Sequence, residues 1–151
     1  HIIIDGGSTD GTLDLIKKHE KKLAHWISEQ DSGQPEAINK GLEKATGVWF
    51  NWLNADDRLL PDSLQSVLNF ANEATEVVVG KCQHVYENGN VIATGSARIW
   101  ETTEATLGNY SMGQPSVFYR TGLVQELGDL NNSLHLCMDM DLWFRFFANM
   151  E

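Results

Sequence analysis

Three short acidic stretches carry the residue types that could do chemistry. The first is Asn54-Ala55-Asp56-Asp57, which follows Val48 to Leu53, a run that is apolar except at Asn51. Adjacent carboxylates beside a buried strand repel each other and lose hydration, and a hard cation relieves both penalties. Mg²⁺ suits such a pair, because it keeps several waters and takes one or two carboxylates plus substrate phosphates. A solvated turn, with Asp57 capping a helix that begins near Pro61, accounts for the same residues without a metal. The second stretch is Asp5-Gly6-Gly7-Ser8-Thr9-Asp10-Gly11-Thr12. A phosphate-binding P-loop needs Lys before its closing Ser or Thr. None stands there, and Asp10 would repel phosphate. Asp5 can instead accept hydrogen bonds from a ribose or base, with Gly6 and Gly7 letting a ligand approach. A turn followed by a helix cap is the plainer alternative. The third stretch holds Asp139 and Asp141 either side of Met140. Residues two apart on a helix do not share a face, so one carboxylate can enter a cleft while the other caps or pairs with Arg145. Apolar neighbours such as Met138, Met140 and Trp143 can raise a carboxyl pKa toward that of a useful base. Acids complementing a helix dipole explain the pair equally.

Other chemistries find little support. No His-x-x-x-His spacing and no Gly-x-Ser-x-Gly elbow occurs, and Cys82 and Cys137 form neither a disulfide framework nor a metal-ligand spacing. The five tryptophans fall mostly in apolar runs, where core packing is their default role. Trp100 and Tyr110 sit less regularly and are candidates to stack on a sugar ring.

These residues need a frame. Ile2-Ile3-Ile4 reads as a buried strand ending in the Asp5-Gly6-Gly7-Ser8 turn. Thr9 or Asp10 then caps a helix with Leu13, Ile16 and Leu23 on its apolar side. His25 to Ser28 reads as a strand, and Pro35 opens a helix over Glu36 to Ala45 that Gly47 punctuates. Val48 to Leu53 is the strongest central strand. Pro61 and Asp62 open a helix with Leu64, Val67, Leu68 and Ala71 on one side. Val77 to Tyr86 is strand material, and Asn88-Gly89 turns it into Val91-Ile92-Ala93. A short helix over Thr102 to Asn109, a strand over Ser116 to Tyr119, and helices over Thr121 to Leu127 and Met138 to Asn149 complete the chain. The opening strand-helix alternation predicts an α/β fold, a mixed but mostly parallel sheet with helices on both faces. In such sheets ligands bind beyond the carboxyl ends of the strands, and both acid-rich turns fall on that edge.

The chain's 151 residues suit one domain, residues 1–151. With 11 Lys and Arg against 21 Asp and Glu, its formal charge of −10 argues against nucleic acid as a partner. No run approaches the ~20 apolar residues of a membrane helix. No signal peptide is visible, and the reduced thiols suit the cytoplasm.

Taken in order, the stretches resemble the family 2 glycosyltransferases, enzymes of the GT-A fold with a Rossmann-like sheet. The residues that carry the resemblance are IIIDGGSTDGT, WISEQDSGQPEAINKGLEKATGVWFNWLNADD, GQPSVFYR and SLHLCMDMDLWFRF, which span residues 2 to about 147. The resemblance implies nucleotide-sugar contacts at Asp5, Gly6, Gln34 and Asp56, with UDP as the expected carrier. It implies that Asp57, with Asp56, ligates Mn²⁺ or Mg²⁺ on the diphosphate. It places the catalytic base at Asp139 and the acceptor side at Gln114 and Asp141. The expected reaction is an inverting displacement onto a hydroxyl of a glycan, a lipid-linked molecule or another acceptor, at the cytoplasmic face of the membrane in polysaccharide or cell-envelope assembly.

Two positions depart from the family pattern. Asn54 stands where many relatives have Asp, and Met138 replaces an acidic residue that often precedes the base. The family's first strand and helix are also not in this sequence, so the expectation is an N-terminally truncated domain. Its unpaired strand edge would invite cover by a second copy of the chain. Rival readings are a degenerate nucleotide- or partner-binding module and a nucleotidyltransferase, which would release pyrophosphate rather than a nucleoside diphosphate.

Overall fold

The computed structural model describes residues 1–98 and 112–149. Strand β1 (Ile2–Asp5) leads through the Gly6-Gly7 turn to helix α1 (Thr12–His19). The cap position is Gly11, at φ 95° and with no side-chain cap bond, rather than the expected Thr9 or Asp10; the Asp10 carboxylate instead braces the turn, accepting from the Thr12 N–H at 3.1 Å and the Thr12 hydroxyl at 2.7 Å. Strand β2 (His25–Ser28) returns parallel to β1, with Ile3 opposite Trp26 and Asp5 opposite Ser28. Helix α2 (Gln34–Lys44) then crosses back, burying Pro35, Ile38 and Leu42 on one face. The Ile38 and Leu42 spacing is the i, i+4 repeat of a helix packed on one side. Gly41 lets it lie close on β1: a Cβ there would sit 3.6 Å from the Ile4 side chain.

The second half is antiparallel. Strand β3 (Trp49–Phe50) and strand β4 (Val77–Val79) flank strand β7 (Val117–Arg120) in the order β3-β7-β4, while β5 (Gln83–Val85) and β6 (Val91–Thr94) form a separate hairpin. Strand β7 is buried on both faces, as a central strand must be, and its side chains alternate. Val117 and Tyr119 join the main core with Ile38, Leu42, Phe50, Leu142 and Phe146; Phe118 turns to a smaller cluster with Val67 and Val78. Helix α3 (Ser63–Phe70) covers the Phe118 face, and helices α4 (Thr121–Leu127) and α5 (Met138–Asn149) complete the described chain.

The expected single, mostly parallel sheet is therefore not what forms among the described residues. Only β1 and β2 pair in parallel, and β1 and β3 are not bonded to each other. The long central strand over Val48 to Leu53 shortens to two paired residues. The register that pairs Trp49 with Arg120 and Phe50 with Tyr119 ends there, although β7 continues back to Val117. Past that point the Asn51 side chain donates to the carbonyls of Pro115 at 3.2 Å and Val117 at 2.9 Å. The strand material over Val77 to Tyr86 divides into β4 and β5 around Gly80. In α3 the expected apolar side is only partly used: Val67 is buried, whereas Leu64 and Leu68 face outward. The helix expected over Thr102 to Asn109, with Trp100 and Tyr110, lies outside the described residues.

Candidate active site

Asp5 ends β1 as a buried carboxylate whose oxygens are heavily used. Oδ2 accepts from the N–H groups of Gly7 and Ser8 and from the Ser28 hydroxyl at 2.6 Å; Oδ1 accepts from the Ser8 hydroxyl at 2.5 Å. These donors, Ser28 and Ser8 foremost, hold its pKa below the ordinary carboxylate range. Gly6 lies against the loop that follows β2: a Cβ there would stand 2.8 Å from an Asp31 carboxylate oxygen, and that side chain would have to shift. Asp31 in turn caps the approach to α2, accepting from the Gly33 N–H at 3.0 Å. The next residue, Gln34, reaches across to β3's exit, its Nε2 donating to Oδ1 of Asn54. Asp5, Gly6, Asp31, Gln34 and Asn54 thus follow one another along the carboxyl edge of β1 and β3.

Past Asn54 the two acids differ in surroundings: Asp56 is exposed and Asp57 half-buried. Burial first, and then the charge of Asp56, pushes the Asp57 carboxyl above its ordinary range, and a hydrogen bond from Asn54 offsets this only in part. Asp57 opens onto a cleft of about 1260 Å³ between α3 and the β4-β5 segment, with Cys82, Ser116 and Phe118 in its walls. The Cys82 thiol is held above its usual range by burial and by the Asp57 charge. No group of three or more His, Cys, Asp or Glu side chains converges among the described residues. Two carboxylates still match Mg²⁺ or Mn²⁺ in their hard oxygen donors, provided substrate phosphates and water complete the shell. The charge conflict at Asp57 is the local sign that a cation fits.

Asp139 stands in the first turn of α5, its Oδ1 accepting from the Met140 N–H at 2.9 Å. One turn on, the Trp143 indole donates to the Tyr119 hydroxyl at 2.8 Å. The Asp139 charge contributes to raising the Tyr119 phenol, although burial is the main cause. Tyr119 stacks on Trp52, with ring centroids 5.7 Å apart and an interplanar angle of 9°. A continuous aromatic layer therefore joins the Asp139 turn to β3's exit. Asp141 faces differently: Arg145 binds it through Nε at 3.1 Å and also ties the carbonyls of Leu127, Gly128 and Asp129. The Gln114 amide donates to the Trp52 carbonyl at 2.8 Å.

Several of these partnerships carry no sequence signal of their own. Asp31 reads as part of a polar loop, and only its place two residues before Gly33 hints at a capping role. The Tyr119–Trp143 bond joins residues 24 apart that no local pattern connects.

The polar turns after β1 and β3 lie beyond strand ends, the edge at which α/β sheets bind their ligands. The comparisons name the class. The family described as Glycosyl transferase family 2 matches residues 1–126, and the chain belongs to it. A PGL/p-HBAD biosynthesis glycosyltransferase of Mycobacterium bovis is 30% identical over 98% of this chain and 58% of its own length. The putative teichuronic acid biosynthesis glycosyltransferase TuaG of Bacillus subtilis is 40% identical over 48% of this chain and 30% of its own. The chain thus spans a little over half the length of the mycobacterial relative. The crystal structure of S. aureus TarS 1-349 in complex with UDP superposes with a TM-score of 0.67, covering 94% of this chain and 44% of that one. At 22% identity that likeness speaks for the fold alone. No helix among the described residues is long and apolar enough to cross a membrane.

Proposed function

We propose that the protein, on its GT-A fold, transfers a sugar from a nucleotide-sugar, with UDP as carrier, to an acceptor hydroxyl with inversion. The observation that carries this reading is Asp57, a half-buried carboxylate held against Asp56 at the mouth of a large cleft. Its surroundings favour a ligand that brings positive charge together with phosphate. The UDP found with TarS, a protein of the same fold, supports the choice of carrier. The biosynthetic names of the mycobacterial and Bacillus relatives support an acceptor in the cell envelope.

The nucleoside lies along the Asp5–Gln34 edge. Among the described residues Oδ1 of Asp5 accepts only from Ser8, so it keeps capacity for one more donor, such as a uracil N–H or a ribose hydroxyl. Gly6 leaves the turn low beside it. A divalent ion, Mn²⁺ or Mg²⁺, held by Asp57 and Asp56, would supply Lewis-acid stabilisation of the charge on the departing diphosphate. Asp139 takes the proton of the acceptor hydroxyl as that oxygen bonds to the anomeric carbon and the bond from that carbon to the diphosphate oxygen breaks. Asp141, fixed by Arg145, and Gln114, fixed on Trp52, shape the acceptor side around it.

Calorimetric titration with UDP, with and without Mn²⁺, tests the donor half of this reading. Wild type binds UDP more tightly with Mn²⁺, and Asp57→Ala loses that metal-dependent increment. Asp139→Asn binds UDP like wild type, while sugar transfer from UDP-linked donors falls by about 10²–10⁴. Metal-independent binding that Asp57→Ala leaves untouched would remove Asp57 from the site. Equal turnover by Asp139→Asn and wild type would remove the base.

A further inference from the structure

The loop between β2 and α2 decides where Asp31 and Gln34 stand, yet little in the loop itself can hold it. Residues 29–33 are Glu, Gln, Asp, Ser and Gly, with no apolar side chain to anchor in the core. They lie against the turn that follows β1. The Glu29 N–H donates to the Asp5 carbonyl at 3.0 Å, and a Cβ on Gly7 would stand 3.4 Å from the Gln30 side chain. Gln34 follows directly and reaches Asn54.

The fastening comes from Lys40, on α2. Its Nζ lies 2.8 Å from a carboxylate oxygen of Glu29, at the start of the loop, and 2.7 Å from one of Glu36, a turn earlier on the helix. The other oxygen of Glu36 accepts from the N–H and the hydroxyl of Ser32, at 2.8 and 2.5 Å, near the end of the loop. One ammonium therefore ties both ends of the loop to a helix. The Lys40 side chain is 25% exposed, so its stem lies along the protein and its reach is set before a ligand arrives. The charges register the network: Lys40 first, and then Ser32, brings the Glu36 pKa down to about 2. Isolated exposed ion pairs contribute little, whereas charges joined in a network contribute more. We propose that Lys40 is a positioning residue for donor binding, fixing the 29–33 loop against the Gly6-Gly7 turn so that the Asp5–Gln34 edge is preset for the nucleoside. Lys40 acts through Glu29 and Glu36. Without it a nucleotide has to order the loop as it binds, and affinity falls by that cost. The inference rests on the transferase reading and deepens it by naming what holds the nucleotide edge in place.

Calorimetric titration with UDP and Mn²⁺ compares wild type with Lys40→Met, Lys40→Arg and Glu29→Gln, each also followed by thermal melting. Lys40→Met weakens UDP binding by about three- to fivefold, the upper range of an exposed ion pair. Lys40→Arg, whose guanidinium can still bridge both carboxylates, stays within about twofold of wild type. Glu29→Gln, a change on an exposed loop, separates positioning from bare charge and does not depend on how Lys40→Met folds. Loss of an acid beside an anionic ligand would by itself tighten UDP binding; loss of the loop's fastening weakens it, by about twofold. UDP binding by Glu29→Gln that is unchanged or tighter overturns the inference. So does a Lys40→Met variant that melts lower but binds UDP like wild type, since Lys40 would then serve stability alone. Both of those results leave the transferase reading standing. Absence of any UDP binding by folded wild type overturns the transferase reading, and this inference with it.

Discussion

Asp5 closes β1 with its carboxylate taken up by the Gly7 N–H, both donors of Ser8 and the Ser28 hydroxyl, whereas Asp57, past the end of β3, meets burial and the Asp56 charge with Asn54 as its donor. The two residues are of one type and hold similar places at strand ends. Their neighbours nevertheless drive their pKa values in opposite directions, Asp5 down and Asp57 up. A carboxylate enclosed by hydrogen-bond donors is part of the scaffold: it fixes the turn that a nucleoside would meet. A carboxylate left in electrostatic conflict is poised for a ligand, because only added positive charge or a proton relieves it. The difference between them separates what the fold needs from what the chemistry needs.

The sharpest way to break this comparison is to remove Asp5. Asp5→Ala leaves three elements of the turn and the Ser28 hydroxyl without their acceptor in a buried place. The expected loss is about 2–4 kcal/mol, which for a chain of this length lowers Tm by about 5–12 °C. The sign with pH follows from the lowered pKa. Ionised Asp5 contributes its full stability above the unfolded carboxylate range and loses it as pH falls through the lower folded value. Thermal melts should therefore show wild type and Asp5→Ala furthest apart at neutral pH, with the gap narrowing below about pH 4. A variant that melts with wild type at pH 7 would mean that the four hydrogen bonds do not hold the turn, and the comparison would collapse.

How far each side of this comparison was legible differs for the same reason. The conflict at Asp57 could be read directly, since adjacency in sequence alone puts two charges together. The set of donors around Asp5 could not, because its strongest partner, Ser28, is 23 residues away across a strand pairing. The same distinction holds for the fold. Helix α5 runs over Met138–Asn149 as its apolar spacing predicts, and α2 begins one residue before Pro35 and stops at Lys44, short of Gly47. Those limits are local. The pairing of Phe50 with Tyr119 joins positions 69 residues apart, and alternation within a strand shows which face is buried without naming the neighbour. That is why a mostly parallel sheet was the expectation and an antiparallel β3-β7-β4 group is what these residues build. Gln34 and Asn54 show the two cases meeting. Each lies in a recognisable motif, yet their contact comes only from α2 and β3 ending on the same edge.

The smallest expected effect tests the other carboxylate, and its sign is the opposite of the first. Because folding raises the Asp57 pKa, ionised Asp57 disfavours the folded state once pH exceeds the unfolded carboxylate value, and the full penalty is present above the raised folded value. Asp57→Asn keeps the shape, removes the charge, and relieves the repulsion from Asp56. With no divalent ion added, this variant should melt above wild type at pH 7. The difference should fade as the pH drops below the carboxylate range, where Asp57 is protonated in both states. Adding Mn²⁺ together with UDP should reverse the order, because only wild type gains from the ligand, by an amount set by its concentration relative to Kd. An Asp57→Asn variant that melts below wild type at neutral pH without metal would show the carboxylate to be satisfied by the fold itself, and Asp57 would then belong with Asp5.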